Sequence, residues 1–154
     1  MKSEDQELRN LLLVAFEYTY LHEDWSHPLD EALAGLTVEQ AAWRPGGKEM
    51  GIWDMVLHLA VWNENIIERI ETGQNAHPAE GAWPPIPEAK GEADWEVGKA
   101  RLWASLDSLK NLLETAPFEK IRSSPYGFPD LVCRFTHIAY HIGQIVKIRE
   151  IQGF

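Results

Sequence analysis

Apolar side chains recur at three-four spacing in four long stretches of this chain, and clusters of proline and glycine separate the stretches. That pattern commits most of the chain to amphipathic helix. No stretch shows sustained two-residue alternation bounded by hairpin turns, so no sheet is expected. The spacing predicts an all-α protein, most simply a four-helix bundle, with residues 1–154 forming one domain.

The first helical stretch runs from about Glu4 to Leu36, with Leu8, Leu12, Ala15, Tyr18 or Thr19, and Leu21 as its apolar stripe. Pro28 interrupts it, because the residue before a proline avoids the helical region; a further piece, Leu29 to Ala34, ends at Gly35. Thr37 and Gln40 read as a capping box that opens a short turn through Trp43. The second helix is expected from Ile52 to Glu71, its apolar face built from Ile52, Met55, Val56, Leu59, Trp62, Ile66 and Ile70. Residues 73–91 carry four prolines and three glycines and have no period. Such a segment is a surface linker, a lid or a crossover, and its length permits a long crossover loop between helices 2 and 3. The third helix is expected from Asp94 to Thr115, with Trp95, Leu102, Leu106, Leu109 and Leu113 inward. Pro117 to Pro129 reads as a second loop, and the last helix as Asp130 to Gln152. In that helix Leu131, Phe135, Ile138, Ile142 and Ile145 form one stripe; Cys133, His137, His141, Gln144 and Ile148 form its neighbour.

The net charge of -10 disfavours nucleic acid and anionic membrane as partners, since both repel a negative surface. No apolar run approaches the roughly 20 residues that a membrane helix needs. The opening residues MKSEDQELRN contain no apolar signal core, so the expected setting is cytoplasmic. The single cysteine, Cys133, permits neither an intrachain disulfide nor a cysteine-built zinc site.

Chemistry is carried by histidines. His137 and His141 are four residues apart, which places both rings on one helix face a turn apart. Two imidazoles so placed can share one metal ion, and imidazole suits zinc, copper, iron and nickel. His58 lies mid-helix between Met55 and Trp62, inside the apolar face of helix 2. A lone histidine there is commonly a hydrogen-bonded core residue. Three inward histidines on two helices of a small bundle instead match the way bundle metal sites are built. Three protein ligands leave coordination positions for water or substrate, and a bound water would then have its pKa lowered.

Further candidates follow from spacing. Asp54, one turn before His58, either orients that ring or answers the dipole of the helix start. Gln144, near His141, bonds a ligand or makes a plain interior hydrogen bond. Cys133 approaches the metal or is a small buried residue, the latter being expected. His22, His27 and His77 are read as surface residues, and Trp25, Trp43, Trp53 and Trp83 as core or loop anchors, one or two of which line a pocket.

The ending His137-Ile-Ala-Tyr-His141-Ile-Gly-Gln-Ile145, followed by Arg149 and Gly153, resembles the last-helix signature of the DinB-like (DinB/YfiT-like) metalloenzyme family. The segment Ile52-Trp-Asp-Met-Val-Leu-His58-Leu-Ala-Val-Trp62 is similar to that family's second-helix motif, and Leu33 to Gln40 with Trp43-Arg44-Pro45 to its approach. The resemblance implies a four-helix bundle with a crossover, a homodimer, and ligand positions at His58, His137 and His141 for one divalent transition metal ion, with nickel or zinc ahead of iron or manganese. Some relatives are thiol S-transferases that use bacillithiol or mycothiol, others isomerases or hydrolases.

The leading expectation is therefore a metal-dependent enzyme that activates water or a low-molecular-weight thiol toward a small-molecule substrate. The thiol route calls for a cationic or polar pocket, for which the sequence gives no clear signal. The alternatives are a non-catalytic metal- or small-molecule-binding module, and a structural dimer whose histidines are core residues without metal.

Overall fold

A computed structural model describes residues 4–22 and 27–153. The described residues form seven α-helices and no strand: α1 Glu4–Tyr20, α2 Leu29–Leu33, α3 Val38–Ala42, α4 Ile52–Thr72, α5 Glu92–Thr115, α6 Phe118–Ser123 and α7 Gly127–Gln152, with a 3₁₀ turn at Pro45–Gly47. The all-helical class is as expected. The four long helices pack in pairs: α4 lies against α5 and α7, and α1 against the same two.

Local chemistry sets the ends of α4, the helix that carries His58. Asp54 Oδ2 accepts from the Gly51 N–H at 2.9 Å, which satisfies a donor the helix start leaves over. Its other oxygen accepts from Arg44 at 2.5 Å, tying the preceding turn to the helix. At the far end Gly73 adopts φ 70°, a left-handed conformation that a side chain would strain, and its N–H closes on the Arg69 carbonyl. The capping box of α3 is present, with Thr37 and Gln40 bonded reciprocally at 3.3 and 2.9 Å.

Every residue from Gly51 to Val61 is buried, so the first half of α4 is enclosed on all sides rather than along one stripe. Trp53 and Trp95 meet edge to face at 5.4 Å between α4 and α5. The expected core stripe of α5 and the Leu131–Ile145 stripe of α7 are both buried. Full burial of each such side chain contributes about 1.5–3 kcal/mol.

Three expectations need correction. The buried line of α1 is Leu12, Phe16 and Tyr20, whereas Tyr18 and Leu21 face outward, 49% and 44% exposed. Residues Leu11 to Phe16 are all apolar, so periodicity alone does not fix the phase of this helix. The stretch Pro117–Pro129 is not loop throughout: α6 fills Phe118–Ser123 and buries Phe118 and Ile121. The last helix opens at Gly127, three residues early, because Pro129 falls in its first turn, where no N–H partner is required.

Candidate metal centre

His58 comes from the enclosed half of α4, and His137 and His141 from α7, which packs against it. His58 and His141 are buried and His137 is half-buried. One ring nitrogen from each of the three lies within 4.8 Å of the others. His137 Nε2 is 3.2 Å from His58 Nε2 and 2.9 Å from His141 Nε2. Two imidazole nitrogens about 2.0–2.1 Å from one ion stand about 3 Å apart at ordinary coordination angles. The cluster therefore has the spacing needed to hold a cation.

The partners of the other ring nitrogens fix the tautomers. His58 Nδ1 lies 2.6 Å from the Ala82 carbonyl, an acceptor, so Nδ1 carries the proton and Nε2 presents a lone pair. His141 Nδ1 donates to Gln144 Oε1 at 2.7 Å, which likewise frees its Nε2. His137 differs. Its Nδ1 lies 2.8 Å from Arg134 Nη1, and a guanidinium can only donate, so the His137 proton sits on Nε2. That proton points between the two free lone pairs. It occupies the position a shared cation would take, and a cation held by all three Nε2 atoms would displace it.

All three rings are neutral at pH 7. Burial pushes His58 down to about 4 against the opposing hydrogen bond to the Ala82 carbonyl, with His141 and then Arg134 adding to the fall. Burial also pulls His137 to about 4, with Arg134 as the second cause. His141 is lowered by burial, against the opposing effect of the hydrogen bond it donates to Gln144. Neutral imidazole is the form that binds metal.

Arg134 links the cluster to the core. It is buried and donates from Nε and Nη2 to Asn63 Oδ1 at 3.0 and 2.8 Å, and from Nη2 to the Leu59 carbonyl at 2.7 Å. Asn63 in turn donates to Ser105 Oγ at 3.0 Å. The chain Ser105–Asn63–Arg134–His137 thus crosses α5, α4 and α7. Burial lowers the Arg134 pKa to about 10, which leaves it charged at neutral pH.

Segment 73–91 lies against the cluster. Asn65 Nδ2 and Arg69 Nε both donate to the Ala76 carbonyl, at 3.2 and 2.9 Å. Arg101 bridges Glu64 on α4 and Glu80 on the segment, each through paired contacts. The Trp83 ring stacks on His58 with centroids 3.8 Å apart and planes 18° off parallel. Beside the histidines opens a cavity of about 290 Å³, lined by His58 and His137 and by Trp62, Asn65, Ile66, Arg69, Asp130, Cys133 and Arg134.

The remaining sequence candidates sort clearly. Gln144 bonds a member of the cluster. Asp54 is committed to Gly51 and Arg44, so it serves the helix start. Cys133 is exposed on the cavity rim, contrary to expectation, because the start of α7 is open to the cavity on that side. His22, His27 and His77 are exposed. Trp53 is core, Trp83 belongs to the site, Trp43 is partly exposed, and Trp25 lies outside the described residues. Sequence reasoning missed Arg134, Asn63 and Ala82. Arg134 had a signal: it keeps three-four register with Leu131, Ile138, His141 and Ile145, which marks it as inward.

Fold and cluster together define an all-helical protein with three imidazoles placed to share one cation. A family model described as the DinB superfamily matches residues 20–145, and the chain belongs to that superfamily. No curated protein and no solved structure matches it. Among the described residues no helix is long and apolar enough to cross a membrane.

Proposed function

We propose that this chain is a metal-dependent enzyme in which His58, His137 and His141 hold one divalent transition metal ion. The observation that carries the reading is the convergence of three neutral imidazole nitrogens, two of them already presenting lone pairs. The resemblance to DinB-like metalloenzymes puts nickel or zinc ahead of iron or manganese, and an imidazole donor set suits nickel, zinc and iron. Such an ion, when bound, supplies Lewis acidity and lowers the pKa of a coordinated water or low-molecular-weight thiol.

The chain's own residues prepare that chemistry. Ala82 and Gln144 hold His58 and His141 in the tautomer and orientation that a ligand needs. Arg134 places a fixed positive charge beside His137. Trp83 covers one face of His58 and screens it from water. The cavity beside His58 and His137 offers room for a small organic substrate. Its two arginines, Arg69 and Arg134, offer the cationic wall that a thiol route calls for.

The proposal extends to architecture and assembly. The pairwise packing of α1, α4, α5 and α7 supports a four-helix bundle with segment 73–91 as its crossover. A homodimer is supported by an outward stripe along α1, where Leu11, Val14 and Tyr18, continued by Leu21 just past its end, follow three-four spacing and stay exposed.

Metal analysis of untagged protein tests the centre. One equivalent of metal, lost in His137→Ala and in His141→Ala, is expected. Protein that takes up neither nickel nor zinc at micromolar concentration sinks the reading. A panel of thiols and electrophiles, with and without metal, then tests turnover; metal without turnover would make the chain a binding module.

A further inference from the structure

The cavity wall carries more positive than negative charge. Arg69 pairs with Asp130 at 3.3 Å. Arg134 has no carboxylate within hydrogen-bond reach among the described residues: its partners are Asn63, the Leu59 carbonyl and the neutral His137 ring. Asp130 acts on Arg134 only through space and is shared with Arg69, and a buried guanidinium short of counter-charge is unfavourable unless something supplies it. Those contacts use four of its five N–H groups, leaving one Nη1 proton unclaimed on a residue that lines the cavity.

Two more polar atoms, on residues that line the same cavity, lack partners. The Trp62 indole N–H and the Asn65 amide oxygen are both buried and make no hydrogen bond in the protein. Buried polar atoms are nearly always satisfied, so orphans clustered on one cavity mark what an occupant would bring. Ile66 and the Trp62 ring supply apolar surface beside them. The volume of about 290 Å³ sits at the small end of small-molecule sites.

We infer that this cavity binds a small organic monocarboxylate with an apolar body, its carboxylate toward Arg134 and the Trp62 N–H and its body against Ile66. A hydroxyl or amino group on the ligand would satisfy Asn65 Oδ1. The inference names the substrate class of the proposed enzyme, and so rests on that reading for catalysis. The binding itself depends only on the cavity wall. One unit of uncompensated charge selects a monoanion over a neutral molecule of the same shape.

The test compares 3-phenylpropanoate with 3-phenylpropanamide, titrated into chelator-treated and zinc-loaded protein by calorimetry, with the Trp62 indole N–H followed by NMR. In metal-free protein the carboxylate is expected to bind at least tenfold more tightly than the amide, and to shift the Trp62 resonance. That preference falls to near unity in Arg134→Met and rises in Asp130→Asn, which frees Arg69. Equal affinities in the wild type, no binding of either probe at millimolar concentration, or an unchanged preference in folded Arg134→Met overturns the inference. Should Arg134→Met not fold, an unchanged preference in Asp130→Asn overturns it instead. Because the decisive titration is metal-free, its failure leaves the metal stoichiometry of the histidine cluster untouched, and failure of the metal centre leaves this titration standing.

Discussion

Replacing Gln144 by leucine removes the acceptor that holds His141 while keeping side-chain bulk. The bond it removes, Gln144 Oε1 to His141 Nδ1, spans 2.7 Å at a half-buried position. A hydrogen bond of this kind contributes about 0.5–1.5 kcal/mol net, or roughly 2- to 12-fold in an equilibrium constant. Loss of the fixed tautomer adds to this, and outer partners of metal-bound histidine typically change affinity by about 10- to 100-fold. We therefore expect Gln144→Leu to weaken zinc binding by about tenfold, read by competition against a chromophoric chelator. Gln144→Glu keeps an acceptor and strengthens it, so it binds at least as tightly as the wild type. Tyr140→Phe, which removes only the 3.0 Å contact to Gln144 Nε2, has a smaller effect than Gln144→Leu. Wild-type affinity in Gln144→Leu, alongside abolished binding in His141→Ala, refutes the orienting role.

Other outcomes follow from burial and backbone geometry. His58 and His137 have folded pKa values near 4 against an unfolded value of 6.5, so between those limits the unfolded chain binds more protons. In metal-free protein the contribution of these two groups to stability is thus fullest above about pH 6.5, falls as pH drops toward 4, and declines no further below that. Urea midpoints between pH 5 and 6.5 should show a shallower slope in His137→Gln. A Cβ at Gly51 would stand 2.5 Å from the Trp43 carbonyl oxygen. Gly51→Ala should then destabilise by about 1–3 kcal/mol, while Gly143→Ala, with open space and an exposed helical position, should stabilise by about 0.5–1 kcal/mol. Denaturant titration reads both signs. Val14→Glu on the outward α1 stripe should convert a dimer to monomer in light scattering, and an unchanged mass would remove α1 from the interface.

The sequence disclosed the helices and the three histidines because both are written in periodicity. His58 is marked by apolar neighbours on every turn, and His137 and His141 by their place next to the apolar stripe Leu131, Phe135, Ile138, Ile142 and Ile145. Arg134 stands in register with that buried stripe, yet an arginine in an amphipathic helix ordinarily faces solvent, so its residue type masks what its register marks. The reverse error placed Cys133 inside, since a one-turn offset from His137 says nothing about whether a neighbouring helix covers that turn. The α6 helix escaped notice because Pro117 and Pro125 frame a piece too short to show a period. Ala82 was illegible for a deeper reason: it acts through its carbonyl, and a backbone acceptor has no residue signature.

That last contact sets how this site tolerates change over generations. Any residue at position 82 still offers a carbonyl to His58, so substitution there is nearly silent. Insertion or deletion between Ala76 and Trp83 is not, because Ala76 is pinned by Asn65 and Arg69 and the chain between must deliver an oxygen to one place. The segment is held by length where the helices are held by composition, and a library that varies its letters would keep the centre while one that varies its span would lose it.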